Sequence, residues 1–189
     1  ALLQIAFCQG LQRKQQDKIN NLNLLLREFP ESDYYDDALY ELGRANERLG
    51  NNFEAVRQYR EIVENHPNSN YYRNALLQLG LVNYNNGDFN KALNQYKEVA
   101  ENYKGTPEAN SALQGIKNCY VELNDVDAYF AYVKRLGGDV SVSASEQDQL
   151  TYSAAERVYM AGNEDADVQL QQYLNQYPNG AYVTNAHFY

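Results

Sequence analysis

Apolar and small residues recur along the chain at helical spacing, in two blocks per unit. Leu39, Leu42, Gly43 and Asn46 follow the i, i+3, i+4, i+7 pattern of one buried helix face, and Ala55, Tyr59, Ile62 and Val63 form a second block. Between the blocks stand Leu49-Gly50-Asn51-Asn52, and in later units Asn85-Asn86-Gly87-Asp88, Asn124-Asp125 and Gly162-Asn163. These are residues that end one helix and cap the next. The blocks return every 37 residues: Ala1, Ala38, Ala75, Ala112 and Ala186 share a column broken at Gln149, and Leu2, Leu39, Leu76, Leu113 and Leu150 share another. Ala6, Gly43, Gly80 and Ala154 form a column of small residues, Ala55, Ala92 and Ala166 a further one, and Phe29-Pro30, His66-Pro67 and Tyr177-Pro178 mark the same period. A period of this length means stacked units, each of which buries its apolar face only against its neighbours. Each unit reads as two antiparallel helices.

The units run approximately 1–32, 33–69, 70–105, 106–142 and 143–180, with a partial unit at 181–189, in one array over 1–189. Thr106 with Pro107 starts one first helix, since proline at the first helical position loses no hydrogen bond. Ser143 with Glu146, or Ser145 with Asp148, caps another. The fourth unit is irregular: Lys117 stands in the small-residue column, and its second helix, Val126 to Leu136, ends at Gly137-Gly138-Asp139. Val140 to Ser145 alternates like a strand and is read as an extended connector. The chain opens and closes inside a first helix, so it reads as a segment of a longer array whose ends could stack chain on chain.

The columns Leu39, Leu42-Gly43, Ala55, Tyr59 and Pro67, and again Leu76, Leu79-Gly80, Ala92 and Tyr96, resemble the tetratricopeptide repeat, over essentially the whole chain. The family's period is about 34; here three more residues lie in the inter-repeat turn, as in Pro67-Asn68-Ser69-Asn70-Tyr71-Tyr72, and leucine replaces the first-helix aromatic. That longer turn is similar to the one in a subgroup of bacterial envelope proteins, including the outer-membrane assembly lipoprotein and the Tol-Pal coordinating protein. The resemblance implies an all-α, right-handed superhelix of helix pairs. It also implies a periplasmic or outer-membrane-associated scaffold for envelope proteins, with its signal sequence outside this segment.

Composition narrows the chemistry. Of 189 residues, 16 are basic and 25 acidic, and the net charge of −9 repels a phosphate backbone and an anionic lipid surface alike. The acidity is uneven, with Arg157 alone against seven acidic side chains in residues 136–189. No stretch is apolar enough to span a membrane. No phosphate loop, nucleophile elbow or HExxH pattern occurs, and His66 and His187 have no metal-ligand partner at suitable spacing, so no catalytic, cofactor or metal residue is assigned. His66 shares the packing column of Phe29, Tyr103 and Tyr177. Cys8 and Cys119 lie three periods apart at one helix position; they cannot pair, and each is expected as a small buried hydrophobe. Pairs such as Glu54 with Gln58, or Glu61 with Glu64, are expected on the solvated backs of helices.

A protein or peptide partner remains, and it belongs on the concave face lined by first helices. One column there holds Leu3, Tyr40, Leu77, Gln114 and Thr151, and the next holds Phe7, Arg44, Leu81, Asn118 and Ala155. Phe7, Tyr40, Leu77, Leu81 and Tyr84 would anchor an extended or helical peptide, with Arg44 or Asn118 bonding its backbone. The competing reading packs these side chains between neighbouring first helices and leaves no groove. The lysine and asparagine that grip a C-terminal carboxylate in part of the family are absent from these columns. A second surface, the turn tyrosines Tyr34, Tyr35, Tyr71, Tyr72 and Tyr182, would suit sugar stacking if the rings lay exposed and coplanar. Glycan binding and self-assembly are thus the alternatives to peptide recognition.

Overall fold

The computed structural model describes residues 1–138 and 140–189. Eleven helices occur among them: α1 Leu2–Leu11, α2 Gln15–Glu28, α3 Tyr35–Arg48, α4 Asn52–Asn65, α5 Tyr72–Asn85, α6 Phe89–Asn102, α7 Pro107–Glu122, α8 Val126–Leu136, α9 Ala144–Met160, α10 Ala166–Gln176 and α11 Val183–Phe188. They fall into two compact units, Ala1–Gly115 and Ile116–Tyr189. No strand forms among the described residues, and no described helix is long and apolar enough to cross a membrane.

The turn inside each pair is the same Schellman-type stop. Lys14, Asn51, Asp88 and Asp125 donate their backbone N–H to Gln9, Asn46, Asn83 and Tyr120, each bond one period from the last. The residue before each donor must adopt positive φ, and here stand Arg13 (62°), Gly50 (76°), Gly87 (79°) and Asn124 (55°). Asn51 and Asp88 hold the N-cap positions without a side-chain cap, whereas Asp125 accepts from the Ala128 N–H. In α9 the stop slips by one residue, with Gly162 at φ 66° and Asn163 donating to Val158. The expected caps at Thr106 and Ser143 form, accepting from Ala109 and Glu146 respectively. Gly137 and Gly138 end α8 at positive φ; Asp139 lies outside the described residues.

The first helix α3 buries two faces, one against α2 before it and one against its own partner α4. Ala38, Leu42 and Ala45 of α3 join Leu3, Ala6, Ile19, Leu22 and Leu25 in one cluster. Leu39, on the other side of α3, joins Ala55, Tyr59, Ile62, Ala75 and Leu79. The small-residue column works by size matching. The Tyr59 ring lies on Gly43, where a Cβ would stand 2.6 Å from its Cε1, and the Tyr96 ring lies between Gly80 and Gly115, with both virtual Cβ atoms at 2.5 Å. In the first pair the same positions hold Ala6 and the smaller Leu22, both fully buried.

Two expectations need correction. Cys119 is buried but Cys8 is exposed, as is Ile5. Their equivalents one unit on, Ala45 and Leu42, pack on α2, and no helix of the described chain precedes α1 to cover that face. Gln58 is buried rather than on the solvated back. Its column faces the paired first helix, as Asn21 donating to Gln9 at 2.9 Å and Asn83 donating to Gln95 at 2.8 Å show in the neighbouring pairs.

Candidate functional site

Phe7 on α1 and Arg44 on α3, adjacent members of one sequence column, line the same open cavity of ≈ 250 Å³. Gly10 and Leu11 of α1 complete one wall and Arg48 of α3 the other, with Lys18 of α2 and Glu41 of α3 between them. Lys18 is 4% exposed, and its ammonium is bonded to the Glu41 carboxylate. Gly10 makes room for the lysine stem, since a Cβ there would sit 3.2 Å from Lys18 Cδ. The same ammonium lies 5.8 Å from the Phe7 ring centroid, a favourable cation–π arrangement. Arg44 Nη1 reaches the second Glu41 oxygen at 3.4 Å, so one carboxylate is shared by two cations. Phe7 is 41% and Leu11 87% exposed beside these charges.

The other expected anchors are placed differently. Tyr40 is half-buried, stacked on Tyr71 at 4.7 Å and tilted against Tyr59 at 5.7 Å, and burial pushes its phenol above the ordinary range. It serves the packing between α3 and α5. Leu77 is half-buried on α5, while Leu81, one turn on, is exposed. Tyr84 meets Phe89 edge-on at 5.4 Å, at the turn into α6. Asn118 is exposed on α7 in the second compact unit. Within the first unit the structure therefore brings Phe7 and Arg44 into one cavity.

Sequence columns could have revealed Lys18 and Glu41. Lys18 stands where later units hold Ala55, Ala92, Tyr129 and Ala166, a buried uncharged position, and Glu41 follows Gln4 and precedes Gln78, Gly115 and Tyr152. A basic and an acidic residue that both depart from uncharged columns, in facing helices, are candidates for a buried pair.

The turn tyrosines do not make a stacking platform. Tyr35 stacks on His66 at 5.4 Å, and His66 Nδ1 lies 2.9 Å from an Asp36 oxygen. Tyr71 donates to Asp37, Tyr72 donates to Glu98, and Tyr182 stacks on Tyr152 at 4.6 Å and 5°. Tyr34 remains 58% exposed because Leu3 stands where the next unit supplies Tyr40 to cover Tyr71. Among the described residues no group of three His, Cys, Asp or Glu side chains is placed to hold a metal ion.

A tetratricopeptide repeat family model matches residues 1–32, 37–69 and 74–106, together just over half of the chain. A search of curated proteins finds no match.

Proposed function

The chain belongs to the tetratricopeptide repeat family, and from that membership we propose that it is a non-enzymatic scaffold holding a segment of a protein partner along the face of its first helices. Its setting in this proposal is a bacterial envelope complex, periplasmic or outer-membrane-associated. The observation that carries the reading is the cavity shared by Phe7 and Arg44, where apolar surface and hydrogen-bond donors stand open between two first helices. These helices pack on second helices and leave their outward face available. The envelope setting is supported by the 37-residue period and its long tyrosine-bearing turns.

The test is crosslinking capture from an envelope extract, comparing the wild-type chain with Phe7→Ala/Leu81→Ala. Both residues are exposed, so circular dichroism should be unchanged while a defined partner is lost. A partner retained at full yield by the folded double variant would remove this face from consideration.

A further inference from the structure

We propose that the cavity between α1 and α3 recognises an acidic segment of the partner, with a carboxylate held by Arg44 and Arg48 and a neighbouring apolar side chain laid on Phe7 and Leu11. This rests on the first-helix face being the partner surface, and it names the chemistry that face selects.

Charge complementarity is the argument. The chain as a whole carries −9, yet its first two helix pairs are polarised end to end. The end bearing the turns within the pairs holds Arg13, Lys14, Lys18, Arg44, Arg48 and Arg57 against Asp17, Glu41, Glu47 and Glu54; the end bearing the inter-repeat turns holds Glu28, Glu31, Asp33, Asp36, Asp37, Glu61 and Glu64 against Arg27 and Arg60. Two of the acids at the basic end are already engaged: Glu41 accepts from both Lys18 and Arg44, and Glu47 accepts from the Tyr59 hydroxyl at 2.8 Å. Among the described residues Arg48 makes no ion pair, and neither do Arg13 and Lys14. A cavity with three cations and one carboxylate on its walls thus opens on a protein that is otherwise strongly anionic.

The site is built to present those cations. Glu41 is held by the buried Lys18 ammonium, and Arg44 bridges to it through one nitrogen, which leaves the remaining guanidinium N–H groups for a ligand. Guanidinium groups bind carboxylates in a planar, two-point geometry and carry less tightly held water than lysine. Beside them Phe7 and Leu11 expose apolar surface that a purely ionic site would not need. At ≈ 250 Å³ the cavity is below the ~300–1,000 Å³ common for small-molecule sites, which suits a side chain of a larger partner.

The probe is a fluorescein-labelled decapeptide of alternating leucine and glutamate, with leucine–glutamine and leucine–lysine versions as controls, read by fluorescence anisotropy on the full chain. The glutamate peptide should bind at least about tenfold more tightly than the glutamine one and weaken as salt is raised. Arg44→Glu/Arg48→Glu should weaken it by about tenfold or more with helicity unchanged, while Arg57→Glu/Arg60→Glu on α4 should leave it unaltered. Phe7→Ala should weaken the glutamate and glutamine peptides alike. Equal binding of the glutamate and glutamine peptides, absence of glutamate-peptide binding at millimolar concentration, or indifference to the Arg44/Arg48 reversal would overturn the inference. So would wild-type self-association by sedimentation velocity that the reversal abolishes, because the occupant would then be the acidic 136–189 region of a second copy. In extract capture, a partner lost with Phe7→Ala/Leu81→Ala but kept with Arg44→Glu/Arg48→Glu would reject the acidic partner and leave the binding face standing. A partner kept by both variants would reject the two together.

Discussion

Replacing Gly43 by alanine tests the packing logic most directly, because two opposing effects of known size meet at one atom. In a helix interior alanine is favoured over glycine by about 1 kcal/mol, so an unhindered site would be stabilised. Here the new Cβ would lie 2.6, 2.8 and 3.1 Å from three carbons of the Tyr59 ring. Ordinary carbon contacts begin at about 3.5 Å, so the ring must retreat by roughly 1 Å. It has little room: Tyr59 is fully buried, its hydroxyl is bonded to Glu47 at 2.8 Å, and Tyr40 lies against it. Overpacking of this kind costs about 1–3 kcal/mol, which set against the alanine gain leaves Gly43→Ala destabilising by up to about 2 kcal/mol net. The chain itself supplies the compensating change, since Ala6 faces Leu22 at the same positions of the first pair. With Tyr59→Leu already in place, adding Gly43→Ala should therefore stabilise, by about 0.5–1 kcal/mol. A double-mutant cycle by chemical denaturation, with hydrogen exchange at α3 and α4 amides to locate the change, should give a coupling of about 1–3 kcal/mol. Stabilisation by Gly43→Ala in the wild-type background, or a coupling within about 0.5 kcal/mol of zero, would refute the size-matching argument.

Two further outcomes follow from the same geometry. Arg13 holds φ 62° where the next two units use Gly50 and Gly87; left-handed backbone costs a non-glycine residue about 1–2 kcal/mol and glycine's freer unfolded chain returns about 0.4–1, so Arg13→Gly should raise stability by about 0.5–1 kcal/mol, and an unchanged or lower melting temperature would count against it. Tyr71 is pushed up to about 12 by burial and then by its hydrogen bond to Asp37, and Tyr173 to about 12 by burial and then by Asp148; with the unfolded phenol near 10, the folded state holds these protons more tightly, so the stability they contribute is complete below pH 10 and lost between about pH 10 and 12. Helicity and tyrosinate absorbance followed through that window should show it, and a denaturation midpoint flat from pH 9.5 to 12 would not be compatible.

The helix pairs and their turns were legible because the constraints that shape them repeat: a buried face needs apolar residues at helical spacing, and a Schellman stop needs positive φ one residue before its donor. Phe7 and Arg44 are one period apart in one column, and both line one cavity. What the columns hid is compensation between different positions. Reading Gly180 as a break in the series Ser32, Ser69, Thr106 and Ser143 gives no hint of why it is glycine. Ser32 and Ser69 oxygens accept the N–H of Tyr34 and Tyr71, but in the last turn the Tyr173 hydroxyl accepts that of Tyr182 while Asp148 accepts from Tyr173 and from Ala181. A Cβ on residue 180 would stand 2.6 Å from both oxygens. Tyr40 could be read from its column either as an open anchor or as packed core for a related reason: its partner ring, Tyr71, belongs to the next unit's turn, and column arithmetic compares like positions without showing which unlike positions touch.

Departures from a repeating column are therefore informative only once their partners are known. In the second compact unit, Lys117 breaks the small-residue column and pairs with Glu146 at 3.3 Å. Arg157 donates to the Val121 carbonyl at 2.8 Å and pairs with Glu122 at 3.0 Å. Both of these substitutions are answered by neighbours in the same unit. In the first unit, Lys18 and Glu41 answer each other, but Glu41 is also the carboxylate to which Arg44 binds, and Arg48, at the end of α3, has no ion pair among the described residues. Arg44 and Arg48 line the cavity beside the exposed Phe7 and Leu11. A partner that supplied the missing carboxylates would complete the same charge network that the second unit completes within itself.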